Sequence, residues 1–155
     1  MSPVRLRLVA EHEETCDFGW SVGVLNKAYA EAVAPILDRI PRGVRGYQTL
    51  YAAATYDLPT QLALAEYLLI DKSVMPYVVD DLVGAGLVRR EPSPTDRRAR
   101  RVVPTDAGLA TLREVGVAVA AAEAELLGPL SPDDAEALRR AVAIVARASR
   151  DGCDG

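Results

Sequence analysis

Histidine and cysteine are close to missing from this sequence of 155 residues. His12 is the only histidine, and Cys16 and Cys153 stand near opposite ends with no CxxC pair. Two such cysteines make neither a disulfide framework nor a zinc site. His12 sits among Glu11, Glu13 and Glu14. A metal site ordinarily recruits more than one His or Cys, so this run reads as a solvated segment, and no metal or cofactor is expected. Long apolar runs are absent too, and nothing reaches the length of a membrane span. The opening MSPVRLRLVAEHEE carries charges where a signal peptide needs an apolar stretch, which predicts a cytoplasmic protein. There is no nucleophile–base pair, phosphate-cradling loop or metal-ligand spacing, so the chain does not read as an enzyme.

Positive charge is also short overall, with 18 Lys and Arg against 22 Asp and Glu, net -4. That argues against loose coating of polyanions. The shortage is not uniform. Between residues 89 and 101 six arginines (Arg89, Arg90, Arg97, Arg98, Arg100 and Arg101) face only Glu91 and Asp96. The local balance is +4, so the remainder carries -8. A concentrated basic patch on an acidic body favours docking on a polyanion in one orientation.

What is present in quantity is helical periodicity. Residues 1–155 read as a single domain, long enough to bury a core. In residues 20–40, Val22, Leu25, Tyr29, Ala32 or Val33, Ile36 and Ile40 recur every three or four positions. Pro35 inside that pattern predicts a kink or a short interruption. A second helix is expected over 44–55, with Tyr47, Leu50, Tyr51 and Ala54 on one face. A short third follows over 61–69, burying Leu62, Ala65 and Leu68 or Leu69. A further helix runs to Gly84-Ala85-Gly86. Pro76 lacks an N–H, which favours Ser73 over Asp71 as its cap, or else a distorted first turn. Two β-prone runs, LVRRE and RRVVP, then flank the polar PSPTDRRA tip, a hairpin with a projecting loop. Thr105 or Asp106 caps a long helix through Leu126, and Ser131-Pro132 opens the last one.

Helix, tight turn, helix and basic hairpin make a winged helix-turn-helix. The fold class is therefore mainly α with a small β-hairpin wing, flanked by N- and C-terminal helices. The physics suits DNA: the major groove admits a helix, and a narrow A·T-rich minor groove attracts an inserted arginine.

The stretch LALAEYLLIDKSVMPYVVDDLVGAGLVRREPSPTDRRARRVVPTDAG resembles the MarR family of bacterial transcription regulators, most densely from Thr60 to Gly108. The resemblance implies a DNA-binding lobe over 44–104 and dimerisation helices over 18–42 and 105–150. It further implies a homodimer on a pseudo-palindromic operator, commonly a repressor released by a small phenolic or lipophilic ligand. Carried over residue by residue, Arg98 matches the wing arginine that enters the minor groove and Asp96 the acid that orients it. Arg97, Arg100 and Arg101 are expected phosphate contacts. Lys72, Ser73, Val74 and Tyr77 match DNA-facing positions of the second helix.

Three positions depart from the family pattern. Leu69 stands where relatives carry a turn glycine, so it is expected either to avoid positive φ or to pack inward. Pro76 and Tyr77 replace a small polar and a basic residue. From 73 to 85 there is no Lys or Arg, while Asp80 and Asp81 are present. Those acids are expected to pair with Arg89, Arg90 or other cations, or to face away from phosphate. Trp20, Tyr47 and Tyr51 are candidates for a ligand pocket, with Arg45 for a ligand carboxylate. Two alternatives stand beside the ligand-responsive repressor. One is an oxidant sensor using Cys16. The other is a winged-helix interaction module without DNA binding, favoured by the acidic second helix.

Overall fold

The computed structural model describes residues 17–151. Cys16, His12 and Cys153 lie outside them, and with them the oxidant-sensing expectation. Six helices and one hairpin follow in the order α1 (Phe18–Leu37), α2 (Val44–Thr55), α3 (Gln61–Tyr67), α4 (Met75–Gly84), β1 (Val88–Pro92), β2 (Arg100–Pro104), α5 (Asp106–Leu126) and α6 (Pro132–Asp151). This is the mainly α fold with a small β wing that the sequence implies.

Local chemistry explains the element ends. Asp17 caps α1 by accepting the Trp20 N–H at 2.8 Å. The helix runs through Pro35 without a break and ends at Leu37, so the proline causes no interruption. Thr60 caps α3 through the Ala63 N–H, and Thr105 caps α5 through the Gly108 N–H. Gly86, at φ 72, closes α4, with Leu87 N–H donating to the Leu82 carbonyl and Gly86 N–H to that of Val83. Ser131 accepts the Asp134 N–H while its hydroxyl donates back to the Asp134 carboxylate.

The start of α4 corrects the expectation for Ser73. Met75 is its first residue, and Val74 precedes it with no side-chain cap. Asp71 organises this turn instead: its Oδ1 accepts both the Ser73 N–H and the Ser73 hydroxyl. Its carbonyl takes the N–H groups of Val74 and Met75. Pro76, second in the helix, then needs no donor.

One core joins the helix-turn-helix to the flanking helices. Leu50 from α2, Leu64 from α3, and Met75, Val78, Val79 and Leu82 from α4 are buried with Val88 and Val102 of the hairpin. Val33 and Leu37 of α1 and Val115 and Val119 of α5 complete the same cluster. In α3 the buried residues are Leu64 and Ala65, whereas Leu62, expected inside, is exposed.

The junction between wing and α5 is especially close. Thr105 N–H donates to the Leu87 carbonyl at 3.0 Å, and the Thr105 hydroxyl donates to that of Gly86. A Cβ on Gly108 would stand 2.0 Å from the Leu87 carbonyl oxygen. The run PTDAG thus consists of a strand end, a cap, an acid in the first turn and the one residue small enough for this approach.

Candidate nucleic-acid interface

The wing is an antiparallel hairpin in which Val88 faces Pro104, Glu91 faces Arg101 and Pro92 faces Arg100. Residues 93–99 form its tip. A buried serine, Ser93, organises that tip. Its hydroxyl accepts the N–H groups of Thr95 and Asp96, and its own N–H donates to the Ala99 carbonyl. Asp96 continues the scaffold: its Oδ1 accepts the Arg98 N–H at 2.8 Å and its carbonyl accepts that of Ala99. The acid therefore shapes the backbone beneath Arg98 and does not hold its guanidinium.

The six arginines sort into two groups. Arg97 and Arg98 are exposed, and their guanidinium groups have no partner among the described residues. Arg100 is exposed as well and reaches only loop carbonyls at 3.5 Å. The other three are engaged. Arg89 pairs with Glu91 at 2.8 Å, and Arg90 with Asp80 at 2.7 Å. Arg101 reaches Glu91 at 3.1 Å and Asp57 at 3.6 Å and is half-buried. Arg101 is thus a link between the strands and the α2–α3 connection, not a free cation of the kind its place in the motif implies. The Arg89 and Arg101 hydrogen bonds hold the Glu91 carboxyl below its ordinary range.

Asp80 and Asp81 find partners, as their type demands. Asp80 takes Arg90, while Asp81 takes Arg42 from the α1–α2 turn. The second acid is therefore neutralised by a residue far away in sequence. Lys72 and Ser73 are exposed, Val74 is half-buried, and Tyr77 is 63% exposed. These four lie at the open start of α4. A groove of about 480 Å³ separates α3 from the wing, lined by Thr60, Gln61, Leu62, Arg90, Asp96, Ala99 and Arg100. It was not foreseen from sequence, because it is made by residues about 30 positions apart.

Leu69 overturns both expectations held for it. Its φ is 53, and it is 73% exposed. The turn closes like a glycine cap, with Leu69 N–H bonding the Glu66 carbonyl and Ile70 N–H that of Ala65. The backbone demand of the turn wins over the side chain's preference.

Four tyrosines gather at a second groove. Tyr47, Gln48, Tyr51, Tyr56, Tyr67 and Leu69 line an open groove of about 250 Å³. The Tyr56 and Tyr67 rings stand 4.5 Å apart, and the Arg150 guanidinium lies 4.5 Å over Tyr67. Tyr47 and Tyr51 are thus brought together, but Trp20 and Arg45 do not line this groove. Tyr56 and Tyr67 were missed, since Tyr56 follows the end of α2 and carries no periodic signal. Beside Tyr47, the Tyr29 hydroxyl is pushed up by burial and by the Glu123 carboxylate. No cluster of metal-ligating side chains occurs among the described residues.

A helix-turn-helix followed by a basic hairpin, framed by long helices, defines a winged-helix fold. Residues 47–99, which hold nearly all of that unit, match the MarR family model, so this segment is a MarR-family winged helix. Solved MarR-family structures share the fold over most of the chain. The MarR protein of E. coli in its apo form is 22% identical, with a TM-score of 0.71 covering 85% of this chain and 98% of the other. CouR of Rhodococcus jostii RHA1, solved with p-coumaroyl-CoA, is 24% identical at a TM-score of 0.71, covering 84% and 92%. A MarR family protein of Mycobacterium tuberculosis in complex with DNA is 18% identical at 0.71, covering 84% and 98%. This is a family of transcription regulators, not of enzymes.

Proposed function

We propose that this protein is a homodimeric DNA-binding repressor of the MarR type that leaves a pseudo-palindromic operator when a small phenolic or lipophilic ligand binds. The observation that carries this reading is the presentation of Arg97, Arg98 and Arg100, without carboxylate partners, on a tip scaffolded by Ser93 and Asp96. Everywhere else in the hairpin an arginine has an acid. Three cations without carboxylate partners, close together on one tip, concentrate phosphate attraction there.

In this reading residues 44–104 form the DNA-binding lobe. Arg98 enters the minor groove, with Arg97 and Arg100 on flanking phosphates. Lys72, Ser73, Val74 and Tyr77 meet the major groove. Residues 18–42 and 105–150 form the dimer, where exposed Trp20 and Val22 of α1 and Val142, Ile144 and Val145 of α6 supply the apolar surface. The tyrosine groove is the ligand site, in line with a relative solved around an aromatic acyl thioester.

The test is binding to a labelled duplex from upstream of the protein's own gene, at several salt concentrations. Affinity should fall steeply as salt rises, because each neutralised phosphate releases counterions. Absence of binding at low salt sinks the reading.

A further inference from the structure

Arg90 lies in the basic wing but pairs with Asp80, being one of the partners expected for the acids of α4. Its surroundings assign it work beyond that pair. The Nε donates to Gln61 Oε1 of α3 at 3.0 Å. One terminal nitrogen pairs with Asp80 Oδ1 of α4 at 2.7 Å and lies 3.5 Å from the Pro76 carbonyl. A single guanidinium on β1 therefore touches both helices of the helix-turn-helix. Its side chain is only 30% exposed, and its charge is already met by Asp80. Arg90 also lines the groove between α3 and the wing, with Arg100 and Asp96 of the wing among the other lining residues.

We infer that Arg90 is a positioning residue for DNA binding: it locks the wing to α3 and α4 so that Arg98 and the start of α4 address DNA as one rigid unit. This rests on the DNA-binding reading above. The planar fork of arginine suits the task, since it holds two partners in fixed directions at once. Lysine offers three donors on a flexible stem but no rigid fork, so it cannot hold both partners in those fixed directions. Val88 and Val102 of the hairpin share the apolar core with Met75, Val78, Val79 and Leu82 of α4, and apolar packing constrains an angle less than directed polar contacts do.

The experiment measures duplex affinity for wild type, Arg90→Ala, Arg90→Lys, Arg98→Ala and the double variant Arg90→Ala/Arg98→Ala. All are assayed below their melting temperatures. A phosphate contact survives as lysine; a two-partner lock does not. Arg90→Lys should therefore bind about as weakly as Arg90→Ala, roughly tenfold below wild type. Because Arg90 acts through Arg98, the double variant should be little weaker than either single one, whereas independent contributions add. Near wild-type affinity of Arg90→Lys, unchanged affinity of Arg90→Ala, or additive losses would each overturn the assignment. Gln61→Ala removes one arm with little risk to folding and should reproduce part of the loss.

Hydrogen exchange separates this inference from the functional reading. Without DNA, Arg90→Ala should speed exchange at the Ser93 and Ala99 amides, which close the tip, and Arg98→Ala should not. If wild type fails to bind the duplex, the repressor reading falls, and the exchange result alone decides whether Arg90 locks the wing. Unchanged exchange rejects it.

Discussion

At the scale of single residues, the wing shows how little formal charge says about use. Arg98 and Arg101 stand three positions apart, yet one is open and the other lies between two carboxylates. Removing Arg98 should weaken duplex binding with the fold intact and make the salt dependence shallower by about one counterion per protomer. Anisotropy titrations at several salt concentrations check this, and a wild-type affinity and slope would rule out the contact. Leu69 allows a test of strain. A branched residue at φ 53 costs about 1–2 kcal/mol, and little of the exposed side chain's contact is lost on removal. Glycine gives back part of that through chain entropy. Leu69→Gly should therefore stabilise by about 0.5–1 kcal/mol, raising the melting temperature by a few degrees. A lowered melting temperature would mean that Leu69 holds contacts that outweigh its backbone.

At the scale of elements, the hairpin depends on Glu91, which binds Arg89 and Arg101 together. Its carboxyl is held below the ordinary range by those hydrogen bonds, so the folded form favours the ionised state. The associated stability is fully present above the ordinary carboxylate range and is lost as pH falls through the depressed folded value. Glu91→Gln should lower stability at neutral pH and flatten the acid limb of a melting-temperature profile. An acid limb parallel to wild type would show that other carboxylates govern it. The packing of α5 on the wing makes a second prediction. A methyl group on Gly108 meets a backbone carbonyl that cannot move aside without shifting the hairpin. Gly108→Ala should cost about 1–3 kcal/mol, measured by chemical denaturation, and an unchanged midpoint would contradict the close approach.

At the scale of the whole molecule, the apolar residues of α1 and α6 are not all inside. Val33 and Leu37 reach the core, but Trp20, Val142, Ile144 and Val145 are exposed, Ile144 to 66%. Under the dimer reading these faces meet their copies, and Val142→Asp with Val145→Asp should yield monomers that bind DNA far more weakly. Sedimentation checks the mass, and a persistent dimer moves the interface elsewhere. Much of the architecture was legible in sequence because its causes are local. Caps such as Thr105, the Gly86 closure, hydrophobic spacing and the 44–55 helix all depend on residues a few positions apart. The family's motif spacing was legible for the same reason. What only tertiary structure decided were pairings across long separations: Asp81 with Arg42, Arg90 with Gln61 and Asp80, and Arg101 with Asp57. Sequence alone determined that a basic wing follows a helix-turn-helix. Which arginines remain free for a ligand was set by the fold, because a charge is available only where packing brings no opposite charge against it.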